Sequence, residues 1–322
     1  NTHEQGNIRH NIKQVLFRLW KTGEIYLQKP DIASELRNIT HYLVNVFPEV
    51  ISILDRRLDQ ACQDQGFEVD YITKNQAFPQ ISFGNWVGGD RDGHPLVTSE
   101  VTQNTLLHLR LNAFVVIRRK LIHLGQRLSF AYQLERASIG FQRRINEMLL
   151  EQEGLGEKII QRNVGEVFRQ FVSLMTAKLP VDTKREHATE LAEHKGSYMY
   201  ASDLEDDLTL LQNELILFGA ASTAYDDLIT TLRIVKTFGF HLAALDIRQN
   251  SSFHDQAMDQ LLEASLAERT NFSEWSEEER LVFLNKELST ARLFTHAKTE
   301  LKEHAKTVLD CYRVVEANTS LY

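Results

Sequence analysis

The sequence predicts a mainly α protein carrying two short, neighbouring, parallel strands. Three observations lead there. Apolar side chains recur at helical spacing over most of the 322 residues. Five prolines and 15 glycines leave little of the chain as loop. Two stretches, near 80–87 and 240–247, read as strands, and each runs into a charged turn followed by a helix. Neither strand alone makes a stable sheet, and each would leave unpaired edges. They are therefore expected to pair with each other, in parallel, through the long helical crossover between them. That is the form of two adjacent units of a β/α barrel, with both charged turns at one rim.

The elements follow from local pattern. Residues 8–28 place Ile8, Ile12, Val15, Leu16, Leu19 and Trp20 at helical spacing, and Pro30 ends that helix. Asp31 caps a second helix to residue 58, which Pro48 kinks or divides. Residues 66–79 read as a connection into the first strand. Thr98 or Ser99 caps a long helical pattern that continues to about residue 150. Its basic trio, Arg118, Arg119 and Lys120, reads as a solvated face. Residues 155–179 form another amphipathic helix, and 180–197 are polar and irregular, with a helical alternative over 183–194. Ser202-Asp203-Leu204-Glu205 reads as a capping box for a helix to Phe218. A helix over 222–237 ends at Gly239 and leads to the second strand. Helices over 252–266, from the Ser276–Glu279 capping box to about 288, and over 297–317 complete the chain.

Composition narrows the function. A hydrophobic content of 43% and a charged content of 25% describe an ordinary globular chain with a core. The 44 acidic residues outnumber the 36 basic ones, for a net charge of -8, which argues against a general nucleic-acid binder. A local arginine cluster would still suffice for an anionic small molecule. Cys62 and Cys311 lie far apart without a C-x-x-C, so both are expected as reduced thiols of a cytoplasmic protein. No apolar run reaches the roughly 20 residues of a membrane span. The chain starts at Asn1 and stops at N-T-S-L-Y, so residues 1–322 read as one helical piece of something longer.

Chemistry concentrates in F-G-N-W-V-G-G-D-R-D-G-H-P-L-V at 83–97. Gly88, Gly89 and Gly93 allow positive φ and close approach, and Pro95 stiffens the exit. Asp90, Arg91 and Asp92 make the turn either a ligand loop or a self-paired one. In the second strand, alternation sets Asp246 and Arg248 on one face and Ile247 and Gln249 on the other. The Asp246–Arg248 pair either satisfies itself or holds an arginine fork for a phosphate or carboxylate. Phosphate-binding glycine motifs, H-E-x-x-H and a nucleophile elbow are absent. Asp90-x-Asp92-Gly93 lacks the other ligands of a calcium loop, the twelve histidines show no metal grouping, and His254 reads as structural.

At these motifs the chain resembles a known family. G-G-D-R-D-G-H-P-L-V-T at 88–98 is similar to the G-G-D-R-D-G-N-P-x-V-T signature of phosphoenolpyruvate carboxylase. F-G-F-H-L-A-A-L-D-I-R-Q-N-S-S-F-H at 238–254 resembles that family's F-G-x-x-L-x-x-L-D-I-R-Q-E-S-x-x-H. Weaker likenesses lie at 19–25, 277–288 and 308–317. The resemblance implies a piece of an eight-stranded, mostly helical barrel enzyme, usually a homotetramer. That enzyme uses Mg²⁺ to join phosphoenolpyruvate and bicarbonate into oxaloacetate and phosphate. It implies that Arg248 holds the substrate phosphate, with Arg91 as a second catalytic or supporting residue. Trp86, Gly88, Gly89, Asp90, Asp92 and Gln249 would line the same site.

The resemblance also implies what this chain omits. The family's T-A-H-P-T segment would precede Asn1, and its acidic Mg²⁺ ligands, H-G-R-G-G loop and effector site would follow Tyr322. Three positions depart from the pattern: Asn250 stands for Glu, His94 for Asn, and Leu293 for the Pro that follows Arg. Asn250 removes a charge beside the phosphate arginine. It motivates the alternative of a carboxylase-like helical interaction or regulatory module without catalysis.

Overall fold

The computed structural model describes residues 2–21, 31–68, 71–92, 96–152, 154–182, 190–265, 270–290, 295–296 and 298–319. Helix α1 (Thr2–Lys21) leads, and the expected stop at Pro30 lies outside the described residues. Asp31 caps α2 (Ile32–His41) as its spacing predicts, with Oδ1 accepting the Ser34 N–H at 2.8 Å. A π-turn over Tyr42–Val46 then passes into α3 (Phe47–Asp64), whose first turn holds Pro48. The proline ring has no N–H to continue the α-ladder, so the division falls where the sequence put it.

Helix α5 (Ser99–Arg127) is the axis of the molecule. Thr98 caps it, accepting the Val101 N–H at 3.3 Å. Leu109, Ala113 and Val116 face one core, shared with Leu43 and Ile51 of the α2–α3 region and with Ile234 and Phe238. Phe114, Ile117, Leu121 and Leu124 face a second, larger core with Phe141, Phe168, Phe171 and Leu208. A helix that is apolar on two sides is driven into the interior rather than laid on a surface.

The rest of that larger core comes from α6 (Ile139–Glu151), α7 (Leu155–Arg162), α8 (Val167–Ala177) and α9 (Ala201–Phe218). A helical run follows: α10 (Ala221–Thr223), a π-turn over Ala224–Leu228, and α11 (Ile229–Phe238). Arg144 of α6 forks onto buried Asp207 of α9 at 2.7 and 3.0 Å, and the Tyr198 hydroxyl donates to the same carboxylate at 2.7 Å. Burial of two charges is offset only when such bonds are complete.

The described residues contain four two-residue strands in two sheets. β1 (Gly84–Asn85) and β4 (Ala244–Leu245) pair in parallel, Gly84 opposite Ala244 and Asn85 opposite Leu245. Three stacked or buried contacts hold the lead-in to β1. The Phe83 ring lies between Phe47 at 4.7 Å and Phe238 at 5.2 Å, near-parallel to both. Arg233 of α11 bonds Asp55 of α3 at 3.0 Å and the Pro79 carbonyl at 2.6 Å. On the other strand, Gly239 (φ 50) and Leu242 (φ 64) turn the chain from α11 into β4. Leu242 bears that left-handed strain while fully buried.

Several expectations are corrected. Both strands are shorter than 80–87 and 240–247, because the turn at 239–242 occupies the first half of the second. The helix expected to reach residue 150 ends at Arg127. Tyr132 there pairs with the 165–167 backbone instead, and Ser138 caps α6 afresh. The helix over 155–179 breaks at Gly165 (φ 79) between α7 and α8. Within 66–79 lies a short helix, α4 (Tyr71–Asn75), held by Asp59 accepting the Ile72 N–H. Residues 180–197 include a missed antiparallel pair, β2 (Val181–Asp182) with β3 (Glu190–Leu191), while 183–189 fall outside the described residues. The α9 cap sits earlier than Ser202: the Asp203 carboxylate accepts the Tyr200 N–H at 3.3 Å. The basic trio is not a wholly solvated face, since Arg119 bonds Asn45 and Lys120 bonds Glu49.

Among the described residues, α12 (Ser251–Ala264), α13 (Glu277–Leu288) and α14 (Glu303–Thr319) follow β4. The Ser276–Glu279 capping box forms as read. Replacing Phe238, fully buried in the aromatic stack, by Ala should lower unfolding free energy by about 3–5 kcal/mol in urea titration. Leu217→Ala, at a position 73% exposed, should stay within about 0.5 kcal/mol.

Candidate active site

Four backbone hydrogen bonds assemble the site. Ala244 N–H donates to the Phe83 carbonyl (2.9 Å), Asp246 to Asn85 (2.8 Å), Arg248 to Gly89 (3.0 Å), and Arg91 N–H to the Arg248 carbonyl (3.0 Å). The ladder therefore resumes beyond β1 and β4 as a parallel bridge between Asp90 and Arg248. Both charged turns lie side by side at one rim, as the sequence led us to expect.

The turn between β1 and this bridge is tightly built. Buried Asn85 folds its side chain over, Oδ1 accepting the Val87 N–H at 3.0 Å and Nδ2 donating to the Val87 carbonyl at 3.1 Å. The Trp86 carbonyl receives both Gly89 N–H and Asp90 N–H at 2.9 Å. Thr102 of α5 donates its hydroxyl to the Gly88 carbonyl at 2.8 Å. Gly88 is left-handed (φ 86), and a Cβ there would lie 2.1 Å from the Thr105 hydroxyl oxygen. A Cβ on Gly89 would lie 2.2 Å from the Asp246 carbonyl oxygen. Only glycine lets the strand ends close to this distance.

The predicted residues divide between two sides. Arg248 pairs with Asp246 at 3.0 Å, both about half exposed. Asp90 and Asp92 lie beside them. The hydrogen bond that protonated Asp92 donates to Asp90, with desolvation and the Asp90 charge, holds the Asp92 carboxyl above the usual carboxylate range, while Arg248 pulls it down. Trp86 is exposed at the edge of the same turn. Arg91 and Gln249 face elsewhere. They line a cavity of about 280 Å³ with Leu245, Ile247, His254 and Tyr312, between the strand end and α14. Arg91 donates there to the Thr307 carbonyl at 3.3 Å, and its Nε is buried with no partner among the described residues. Gly93, His94 and Pro95 lie outside the described residues.

The family model for phosphoenolpyruvate carboxylase matches residues 1–322. This chain belongs to the phosphoenolpyruvate carboxylase family. It is 32% identical over 259 residues to a phosphoenolpyruvate carboxylase of Methylorubrum extorquens, covering 77% of this chain and 26% of that protein. It is 30% identical over 332 residues to one from Synechococcus, covering 97% of this chain and 30% of that protein. A Synechocystis phosphoenolpyruvate carboxylase is 28% identical over 312 residues, covering 92% and 29%. The chain thus spans about a quarter to a third of the length of these relatives.

Among the described residues no three His, Cys, Asp or Glu side chains group to hold a metal ion, and Asp90 and Asp92 bond each other. The described donor set does not by itself fit a Mg²⁺ site. No described helix is long and apolar enough to cross a membrane. Sequence reasoning missed Asn85, Thr102 and Thr105 as builders of the turn. An Asn at a strand end is a signal for the first, since its side chain closes such turns on the backbone.

Gly89→Ala should cost on the order of 1–3 kcal/mol by forcing the strands apart, while Gly84→Ala, with nothing within 4 Å of its Cβ, should be near neutral in thermal unfolding. Because Asp92 binds its proton more tightly folded than unfolded, its contribution favours folding at low pH and is lost as pH rises through its folded-state value. In Asp90→Ala the Asp92 carboxyl should titrate lower by NMR; an unchanged midpoint would contradict the coupling.

Proposed function

We propose that this chain supplies part of the active site of a carboxylase that converts phosphoenolpyruvate and bicarbonate into oxaloacetate and phosphate. The single observation carrying this reading is the parallel pairing that sets Arg248 on the rim beside the Asp90–Asp92 turn. In the reading, Arg248 grips two phosphate oxygens with its planar fork. Bicarbonate oxygen attacks the phosphorus, the bond from phosphorus to the enol oxygen breaks, and carboxyphosphate and the pyruvate enolate result. The enolate carbon then takes the carboxyl carbon, and phosphate leaves.

Both steps load negative charge onto oxygens, and a fixed cation nearby lowers their cost. The half-exposed Asp246–Arg248 pair is worth only about 0–1 kcal/mol. A dianionic phosphate displaces Asp246 at little cost. We assign Arg91 to holding the rim rather than to substrate, because its guanidinium reaches the start of α14.

The larger architecture in this reading is an incomplete β/α barrel, with residues 1–322 a single piece of it. Helix α14 supports this. Its N-terminal part lies beside the rim, where Thr307 meets Arg91, and its C-terminal end lies near His241 and Ala244 at the other end of β4. It runs antiparallel to β4 on its Leu245–Ile247 face, as the outer helix of a β/α unit does. Mg²⁺ with ligands from elsewhere in the enzyme, a homotetramer and a cytoplasmic location belong to the same proposal. The non-catalytic alternative loses its motive, since Asn250 has a defined structural use as the cap of α12.

In the full-length enzyme, Arg248→Ala should lower turnover by about 100-fold or more, measured as oxaloacetate formation. Arg248→Lys should recover little, because an ammonium lacks the fork. Parental kinetics in either variant would remove the assignment. The purified 322-residue chain should form no oxaloacetate above background.

A further inference from the structure

We propose that Asn250, two residues beyond Arg248, is a positioning residue for it: Asn250 fixes where α12 begins. This deepens the reading of Arg248 as the phosphate-binding group and rests on it. Arg248 is held on its strand side by the bridge to Gly89 and Arg91. On its other side the next fixed point is the first turn of α12. Asn250, in extended backbone (φ -63, ψ 136), turns Oδ1 onto that turn, accepting the Ser252 N–H at 2.9 Å and the Ser252 hydroxyl at 2.8 Å. Its own N–H donates to Gln249 Oε1 at 2.9 Å.

The helix so started is itself anchored. Gln260 Oε1 accepts the Ala305 N–H at 3.0 Å, Gln260 Nε2 meets His304 Nδ1 at 3.0 Å, and the Phe253 ring packs on His304 at 4.5 Å. All these partners lie on α14, whose Thr307 carbonyl takes Arg91. The Asn250 cap is the link that completes a closed ring of contacts: rim turn, Arg248, α12, α14, Arg91 and back.

Side-chain length explains why asparagine serves here. A cap needs an oxygen that reaches the N–H groups of its own first turn, which Asn, Asp and Ser supply and the longer Glu does not.

The test is steady-state kinetics of the full-length enzyme with phosphoenolpyruvate varied, for Asn250→Ala and Asn250→Ser. We expect Asn250→Ala to raise KM about fivefold, the equivalent of one lost cap, with a smaller change in kcat. Asn250→Ser, which caps without charge, should return KM to within about twofold of the parent. A fall in thermal midpoint with KM unchanged in Asn250→Ala would mean a purely structural cap and overturn the proposal. So would a Ser variant no better than Ala. Parental turnover in Arg248→Ala would instead remove the underlying reading, and is distinguishable because it does not involve Asn250.

Discussion

Everything at the rim depends on one short run of backbone hydrogen bonds, from the Phe83 carbonyl to the Arg91 N–H, between segments that are far apart in sequence. Four bonds of 2.8 to 3.0 Å set the register of Asp90 against Arg248. Each contributes little by itself, about 0.5–1.5 kcal/mol net. A two-stranded ladder this short is not stable alone. It exists because the helices on either side have already fixed both of its entrances.

That division of labour runs through the molecule. The aromatic stack of Phe47, Phe83 and Phe238 and the Arg233 bridge to Asp55 and Pro79 deliver β1 at a defined height. Helix α5, buried on two sides, carries Thr102 and Thr105 to the back of the glycine turn. The left-handed residues Gly239 and Leu242 deliver β4. Apolar burial supplies the free energy, and the polar bonds at the rim supply position. Arg248 thus has its backbone bonded on both sides, while its side chain is half exposed and paired with the half-exposed Asp246.

The sequence disclosed the pairing and its polarity because two strand-like runs, each ending in charge, had no other partner. It disclosed the glycines because three of them crowd a charged turn, and two proved to face contacts under 2.3 Å for any added Cβ. It did not disclose where Arg91 points. Alternation predicts faces only while backbone stays extended, and the turn at Gly88 and Gly89 resets the phase before Arg91. The same limit hid the short extent of the second strand, whose first residues turn at Leu242. Helix ends were legible where a short side chain caps them, as at Asp31, Thr98 and Ser276, and illegible where a tertiary partner ends them, as at Tyr132 beside Gly165. Asn250 read as a lost charge from its neighbours in the motif. Only the positions of the Ser252 N–H and hydroxyl gave it a use.

The most direct test is solution NMR on the protein, reading cross-strand contacts around Asn85 and Asp246 together with amide exchange at Arg248. Parallel pairing predicts nuclear Overhauser contacts linking 84–85 with 244–246 in the same order, and an Arg248 amide that exchanges slowly because Gly89 accepts it. Contacts in reversed order, or an Arg248 amide exchanging at the rate of open chain, would contradict the account.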